Sequence, residues 1–156
     1  MNNQVKSQSR VTDFGEVNTS KREVNAILDL VKQETERLDS RFLEPACGDG
    51  NFLIEVLNRK LEILVKKYVK NQYEFERNSV VVVGSIYGID ILQDNTHSAR
   101  DRLFDRFFEV YEKYYKKNMN ENLLESIRFI LDKNIIHGDA LTLKQVGNEN
   151  PVTFSE

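Results

Sequence analysis

Two glycines and an acid form the first candidate ligand site in the sequence. Gly48 and Gly50 follow a short apolar run and precede a helix-like pattern, and Glu44 lies at the end of that run. Glycine has no Cβ, so the backbone can turn sharply there and a ligand can approach it closely. The unpaired N–H groups of the following helix favour negative charge nearby. A glycine pair alone is weak evidence, because many glycines serve only turns.

Two further predicted strands also end in an acid, Asp90 in the segment 86–90 and Asp139 in the segment 134–139. The carboxyl ends of parallel strands lie at one edge of a sheet, so the three acids predict one crevice. The second acid can accept hydrogen bonds from the two ribose hydroxyls, and the third can accept one from the exocyclic amine of a purine. The glycine loop leaves room for the group that the ribose carries. We therefore predict a site for an adenosine-containing ligand.

NAD and S-adenosylmethionine are two ligands that contain adenosine. The NAD fingerprint needs a third, properly spaced glycine, which the segment 46–50 lacks. Asp49 lies between the two glycines, and its carboxylate repels a pyrophosphate unless it points away. S-adenosylmethionine carries an ammonium and a sulfonium, which pair with carboxylates. The acidic loop therefore favours S-adenosylmethionine.

The elements that position these residues follow from hydrophobic periodicity. Ser20 and Glu23 form a capping-box pattern before a helix that we predict to end near Leu38. A strand over 41–44 leads into the loop, and Asp49 or Asn51 is predicted to cap the next helix, which runs to about residue 70. The predicted buried positions of the two helices are Val24, Ile27, Leu28 and Val31 in the first, and Leu53, Leu57, Leu61, Leu64 and Tyr68 in the second.

The segment 73–85 is ambiguous, because the valines at 80–83 favour a strand locally. The segment 86–90 is the better second strand, since it ends in an acid that precedes a new helix. We therefore predict a helix over 73–84. A long helix then starts at Asp94 or Asn95, and a further helix covers 123–131. The predicted core positions of the long helix are Ala99, Leu103, Phe107, Val110 and Tyr114. Its many arginines alternate with acids, which is typical of a solvated face.

The alternation of strands and helices predicts an α/β fold, doubly wound, with a mostly parallel sheet and helices on both faces. A short fourth strand is predicted over 152–155, beside the first strand. It leaves an exposed sheet edge, which proteins normally cover. We therefore expect a homodimer or a partner protein across that edge.

Composition limits the class of protein. The 156 residues predict a polar, disordered tail over 1–10 and a single domain over 11–156. The net charge of -3 argues against a stand-alone, charge-driven nucleic-acid binder, but allows a subunit that meets DNA beside a basic partner. The single cysteine, Cys47, fits a reducing cytoplasm, and no apolar run predicts a membrane span. His97, His137 and Cys47 lack ligand spacing, so we predict no metal site.

Four segments in order resemble the motifs of adenine-N6 DNA methyltransferases of restriction–modification systems. The segment 42–53 (FLEPACGDGNFL) resembles their first motif, and 87–91 (YGIDI) is similar to the second. The segment 136–141 (IHGDAL) is similar to the third, and 14–19 (FGEVNT) resembles the N-terminal motif. The resemblance covers most of the chain and implies a short Rossmann-like methyltransferase fold that binds S-adenosylmethionine.

The resemblance also implies roles for individual residues. The methionine portion of the cofactor is expected against the loop, and its carboxylate end is expected under the N-terminal motif. Asp90 is expected to hold the ribose, Ile91 the adenine face and Asp139 the adenine amine, with Ala140 packed beside it. The loop residues are Glu44, Pro45, Ala46, Cys47, Gly48 and Gly50, and those of the N-terminal motif are Gly15, Glu16 and Thr19. From the residues alone, Cys47 is expected to be a small packed side chain and not a nucleophile.

The chain departs from the family in its fourth motif, an Asn or Asp followed by Pro-Pro and an aromatic, which grips the target amine and stacks on the flipped base. Its two prolines, Pro45 and Pro151, are not adjacent, and Asn18 and Ser20 replace an aromatic and a proline of the N-terminal motif. Three hypotheses remain. The chain is an S-adenosylmethionine-dependent methyltransferase domain, a catalytically incomplete cofactor-binding subunit of a restriction–modification or anti-restriction assembly, or an unrelated nucleotide-binding domain.

Overall fold

The computed structural model describes residues 19–154. Its helices and strands alternate along the chain. The helices are α1 Lys21–Leu30, α2 Lys32–Thr35, α3 Asn51–Tyr68, α4 Gln72–Gly84, α5 Gln93–Tyr115 and α6 Glu121–Asn134. The strands are β1 Phe42–Glu44, β2 Ile86–Asp90, β3 Ile135–Asp139 and β4 Lys144–Gln145.

The four strands form one sheet in the order β1-β2-β3-β4. β1, β2 and β3 are parallel, and β4 is antiparallel to β3. Each parallel connection is a pair of helices, α3–α4 between β1 and β2 and α5–α6 between β2 and β3. The predicted α/β class with a mostly parallel, Rossmann-like sheet is confirmed.

The described helices form a layer against one face of the sheet. α3 contacts β1 and β2, α5 contacts β2 and β3, and the other helices pack on these two. The helical core includes Ile86 and Ile135, which point to this face. The neighbouring residue Tyr87 points to the other face, where its ring lies 5.0 Å from that of Phe154. In the described range, the C-terminal segment therefore contacts the face opposite the helices. The predicted helices on both faces are not found within residues 19–154, because β1, β2 and β3 follow one another across the sheet and both helical connections lie on the same side.

The valine-rich segment forms α4, so the predicted helix there is confirmed. The side chain of Asn71 caps its first turn by accepting a hydrogen bond from the backbone N–H of Glu74. Val82 and Val83 are buried against the core, whereas Val80 and Val81 face partly outward. Tertiary burial of one helix face thus outweighs the local strand preference of valine. In α3, the four predicted leucines are buried and Tyr68 is partly buried.

The first helix is shorter than predicted. The capping box of Ser20 and Glu23 is present, so that prediction is confirmed. The helix ends at Leu30, and Val31 has φ -120° and ψ 31°, which separates α1 from the single turn of α2. Ile27 and Val31, predicted to be buried, are 49% and 41% exposed. The prediction is wrong there because α1 meets α3 through a narrow stripe, in which only Val24 and Leu28 are buried.

Two predicted helix starts are also corrected. α3 begins after Gly50, which has φ 92° and no side-chain cap, so neither Asp49 nor Asn51 caps it. α5 begins at Gln93, one residue before the first predicted candidate. Within α5, Tyr114 is 40% exposed and Tyr111 is fully buried in its place. Tyr111 can be buried because its hydroxyl is hydrogen-bonded to Glu76 and to the backbone N–H of Asn120.

The last strand differs from the prediction in position and direction. The chain reverses directly after β3, where the N–H of Leu143 donates to the carbonyl of Asp139. No crossover helix intervenes, so β4 must pair antiparallel with β3 and cannot reach β1. Residues 152–154 form no strand, and 155 lies outside the described range. The partner that we expected at the edge of that strand stays a prediction.

Candidate functional site

The three predicted acids lie at the carboxyl ends of adjacent strands. Glu44 ends β1 level with Gly88, and Asp90 ends β2 level with His137. β2 therefore extends two residues beyond β1, and β3 extends two residues beyond β2. Each step is about 7 Å along the strand direction, and neighbouring strands lie about 5 Å apart. Asp139 ends β3. The acids thus form a stepped row with the glycine loop at one end, as the sequence predicted.

The glycine loop is held to the end of β2 by backbone hydrogen bonds. The N–H of Cys47 donates to the carbonyl of Ile89 at 2.9 Å, and the N–H of Gly50 donates to the carbonyl of Cys47 at 2.9 Å. Both glycines have positive φ, which favours glycine at these positions. They differ in surroundings. A Cβ on Gly50 would lie 3.2 Å from the Cβ of Ala99, whereas a Cβ on Gly48 would meet nothing within 4 Å. Gly48 is therefore the open side of the loop.

Asp90 is a buried acid that joins the loop to the start of α5. Its Oδ2 accepts from the N–H of Gly48 at 2.8 Å. Its Oδ1 accepts from the N–H of Leu92 at 2.9 Å and from the side-chain amide of Asn95 at 3.1 Å. A carboxylate offers about four lone-pair positions, so one remains for a ligand hydroxyl. The residue is 8% exposed, so it is buried but not sealed from solvent.

Burial changes the acidity of two groups beside the loop. Burial raises the pKa of the Glu44 carboxyl, and the backbone N–H of Ala46 partly opposes this. Burial, followed by the negative charges of Asp90 and Glu44, raises the pKa of the Cys47 thiol to about 12. The thiol is therefore protonated near neutral pH, and its side chain is 5% exposed. Cys47 packs the loop against β2 and has neither the charge nor the access of a nucleophile.

The third strand end is more open than the second. Asp139 is half-buried, and its Oδ1 accepts from the N–H of Leu141 at 2.8 Å. Ala140 beside it is also half-buried. Ile91 follows Asp90 and is 45% exposed, and its carbonyl lies 3.0 Å from the Nε2 of His137. An exposed apolar side chain next to Asp90 suits the face of a planar ring.

The N-terminal motif is only partly described. Gly15 and Glu16 lie outside the described residues. Thr19 is exposed and lies two residues before α1, which packs on α3. The structure therefore brings together the loop, the three acids, Ile91 and Ala140. The expected cover over the carboxylate end of the cofactor stays a prediction.

One residue of the site was not predicted from the sequence. Arg102 of α5 reaches the loop, where its Nη1 donates to the carbonyl of Asp49 at 2.7 Å and lies 3.1 Å from the carboxylate Oδ1 of Asp49. The same atom donates to the Oδ1 of Asn51 at 3.0 Å. From the sequence, the arginines of this helix were expected on a solvated face. Ala99 lies three residues before Arg102, on the same face of α5. Its small side chain could have indicated that another segment, here the loop, packs closely against this face.

This ion pair changes one sequence argument. The carboxylate of Asp49 is directed to Arg102, so the loop does not present an uncompensated negative charge to a ligand. The repulsion between Asp49 and a bound pyrophosphate is correspondingly weaker. The missing third glycine still argues against the NAD fingerprint.

A further concave surface lies apart from the strand ends. A groove of about 370 Å³ lies between α3 and α5, lined by residues such as Leu61, Val65 and Tyr114 and by none of the predicted site residues. Residues 19–154 contain no group of three His, Cys, Asp or Glu side chains that could hold a metal ion. In the same range, no helix combines the length and apolar character needed to cross a membrane.

The comparison with protein families agrees with the geometry of the strand ends. The family model described as MmeI, DNA-methyltransferase domain, matches residues 16–149. No curated protein and no solved structure matches the chain. The family match spans most of the 156 residues and includes every predicted site residue except Gly15. It confirms the resemblance to restriction–modification methyltransferases, and the chain belongs to the family of MmeI-type DNA-methyltransferase domains.

Proposed function

We propose that this domain binds S-adenosylmethionine and serves the methylation of adenine N6 in DNA. The observation that carries the proposal is the open Gly48, which Asp90 holds at the carboxyl ends of β1 and β2. A DNA-methyltransferase domain needs a seat for its methyl donor, and parallel sheets bind ligands at this end.

The described residues suit the charges of this cofactor. Burial raises the pKa of Glu44, and an ammonium group close to it would favour its ionised form. Asp90 has a lone pair left for a ribose hydroxyl, and Asp139 can accept from the adenine amine. Ile91 offers an apolar surface to the adenine ring. When bound, the cofactor supplies a methyl group on a positively charged sulfur. The chain contributes by binding and orienting, which is how positioning lowers a barrier.

The residues that hold the target base are proposed to come from outside this chain. Asn150 and Pro151 lie near the expected place of the base-gripping motif in the sequence. In the structure, Pro151 pairs with Lys144 of β4, and Asn150 accepts from the N–H of Gln145. This hairpin lies on the far side of β3, whereas the glycine loop follows β1 at the other side of the sheet. We therefore propose that a partner subunit contacts DNA and the base, which agrees with the net charge of -3.

Two alternatives rest on specific observations. The first is a catalytically incomplete cofactor-binding subunit of a restriction–modification or anti-restriction assembly. Its support is that the two prolines of the chain, Pro45 and Pro151, cannot form a Pro-Pro motif. The second is a nucleotide-binding domain, which the pairing of Asp49 with Arg102 makes electrostatically acceptable. A cytoplasmic location and a homodimer or partner protein remain part of the proposal as expectations from the sequence.

Calorimetry with S-adenosylmethionine and with NAD tests the cofactor. We expect binding of the first and none of the second. The matched variants are Gly48→Ala and Gly147→Ala, because both glycines have positive φ and open space at the Cβ position. The two substitutions introduce similar backbone strain, yet only Gly48→Ala adds a methyl group at the site. We expect it alone to weaken binding. A folded protein that binds no S-adenosylmethionine contradicts the proposal.

Transfer of a radiolabelled methyl group to unmethylated DNA separates the enzyme from the incomplete subunit. We expect no transfer by the chain alone and transfer when a partner that holds the base is added. Light scattering of the isolated chain measures the oligomeric state. Transfer by the chain alone would show that the base-holding residues lie within it, and a monomer with no recovered partner would count against the assembly.

A further inference from the structure

We propose that Arg102 is a positioning residue that keeps the glycine loop open for the cofactor. The proposal rests on the proposed function, since the loop is the seat of S-adenosylmethionine there. Arg102 is on α5, 52 positions after the cap of α3 in sequence, and its guanidinium spans the space between the two helices at the end of the loop.

Arg102 binds the side chains of Asp49 and Asn51, the two polar side chains that could fold back over the loop. Asp and Asn are among the preferred caps of helix N-termini, and Asp49 and Asn51 flank Gly50, the N-cap residue of α3. In the structure, neither side chain caps α3, and a single Nη1 of Arg102 lies 3.1 Å from the Asp49 carboxylate and 3.0 Å from the Asn51 side-chain oxygen. Arg102 therefore holds these polar groups on the α5 side of the loop.

Arg102 also fixes the backbone of the loop. It donates to the carbonyl of Asp49 at 2.7 Å, between the two glycines. Glycine has the greatest backbone freedom, so a loop with glycines on both sides of one residue needs an external contact to stay in one conformation. On the other side of the loop, Asp90 accepts from the N–H of Gly48. The loop is thus held between a cation on α5 and an anion at the end of β2.

Loss of Arg102 has two expected consequences. The loop carbonyl loses its charged donor, and the carboxylate of Asp49 becomes free to turn toward the first turn of α3. That turn contains no acidic residue of its own and no side-chain cap. A carboxylate there would satisfy the helix N-terminus and obstruct the loop. The role of Arg102 is therefore to restrain Asp49 as well as to hold the backbone.

Arg106 offers a matched control one helical turn further along α5. Its Nε donates to the Oδ1 of Asn58 of α3 at 2.6 Å, so it joins the same two helices. The side chains of Arg102 and Arg106 are 39% and 36% exposed. Within the described part of the chain, Arg106 pairs with Asn58 and Glu109 and with no residue of the loop. A purely structural role of the α3–α5 contact should therefore affect both variants alike.

The experiment measures S-adenosylmethionine affinity by calorimetry and stability by urea unfolding for four variants of the full chain. We expect Arg102→Ala to weaken binding about tenfold and Arg106→Ala to change it less than about twofold, at similar losses of stability. Arg102→Lys, which keeps the charge but lacks the fork of donors, should lie between wild type and Arg102→Ala. The double variant Asp49→Ala with Arg102→Ala should recover part of the lost affinity, because the obstructing carboxylate is gone.

The outcomes distinguish this inference from the proposed function. If wild type binds and Arg102→Ala binds equally well, the positioning role is overturned and the proposed function stands. If Arg102→Ala and Arg106→Ala lose affinity to the same extent, the contact is structural and the positioning role is also overturned. If wild type binds no S-adenosylmethionine, the proposed function fails and this role fails with it.

Discussion

Lys60 and Asp90 are two buried charges at opposite ends of the same pair of strands, and each makes three hydrogen bonds within the chain. Lys60 donates to the carbonyls of Leu38 and Ser40 and to the hydroxyl of Ser85, which precede β1 and β2. Asp90 accepts from the donors that follow the strands, in the loop and at the start of α5. One charge therefore fixes the amino ends of β1 and β2, and the other fixes their carboxyl ends.

The two charges differ in what lies beside them. Lys60 has no exposed surface, and its ammonium reaches only groups of the chain. Asp90 is 8% exposed and holds Gly48, above which there is open space. A buried charge whose partners are all internal explains the fold, whereas one beside an open glycine can also receive a ligand. We therefore expect substitution of Lys60 to affect stability and substitution of Asp90 to affect binding as well.

The largest expected effect is on stability. Lys60→Met keeps most of the side-chain volume but leaves the carbonyls of Leu38 and Ser40 and the hydroxyl of Ser85 without this donor. We expect a loss of about 2–4 kcal/mol in the free energy of unfolding, measured in urea. Lys67→Met, an exposed lysine of the same helix, should change it by less than about 0.5 kcal/mol. The affinity of folded Lys60→Met for S-adenosylmethionine should equal that of wild type, and a matching loss of affinity would remove the contrast with Asp90.

The next effect concerns binding at the other end of the strands. We expect Asp90→Ala to weaken S-adenosylmethionine binding by about 1–3 kcal/mol, because hydrogen bonds to a charged group are lost and Gly48 loses its acceptor. Asp139→Ala should weaken it less, since Asp139 is more exposed. Calorimetry gives both values. Unchanged affinity in Asp90→Ala would move the ribose contact to another residue.

The two charges also show how far the sequence could be interpreted. Asp90 was predictable, because an acid at the end of a strand has a local signature. The helix over the valine run was predictable from the strand that must follow it. The role of Lys60 was not predictable. A lysine within a leucine-rich helix gives the same sequence pattern whether its ammonium faces solvent or a buried carbonyl. Its partners lie 20 to 25 residues away in the chain, a distance over which periodicity carries no information.

The same limit explains the errors at the loop and at the last strand. Asp49 and Asn51 have the right chemistry for a helix cap, but Arg102 lies more than 50 positions away and holds both. The direction of β4 depends on an immediate reversal after β3 in place of a helical crossover. Both outcomes depend on tertiary contacts, and local propensity could not show them. The placement of the acids at the carboxyl ends of neighbouring parallel strands depends on strand assignment, and there the prediction agrees with the structure.

A third prediction tests how closely the loop packs on β2 below Asp90. A Cβ on Gly88 would lie 3.0 Å from both the Sγ of Cys47 and the Cδ1 of Leu53. We expect Gly88→Ala to lower the free energy of unfolding by about 1–3 kcal/mol through overpacking. Gly84→Ala is the control, because nothing lies within 4 Å of its Cβ position and alanine favours helix there. Equal stabilities of the two variants in urea would show that the loop can shift without cost.

The smallest expected effect is a dependence of stability on pH that comes from Lys60. Burial is the main cause that lowers the pKa of Lys60 from its ordinary value of 10.5 to about 8; Arg37 acts in the same direction, and Asp39 and Glu34 oppose it. Between about pH 8 and pH 10.5, the Lys60 side chain is therefore still protonated in the unfolded chain but already deprotonated in the folded protein.

Stability should therefore rise with pH in this window, by at most about 1.4 kcal/mol per pH unit. Tyr111 and Tyr115 act in the opposite direction near pH 10, because burial raises their pKa values in the folded protein. The comparison is consequently best made between pH 8 and about 9.5, as the difference between wild type and Lys60→Met, which carries the same tyrosines. That difference should grow in favour of wild type as pH rises. A constant difference would mean that Lys60 keeps an ordinary pKa, and that its charge is less isolated from water than its burial indicates.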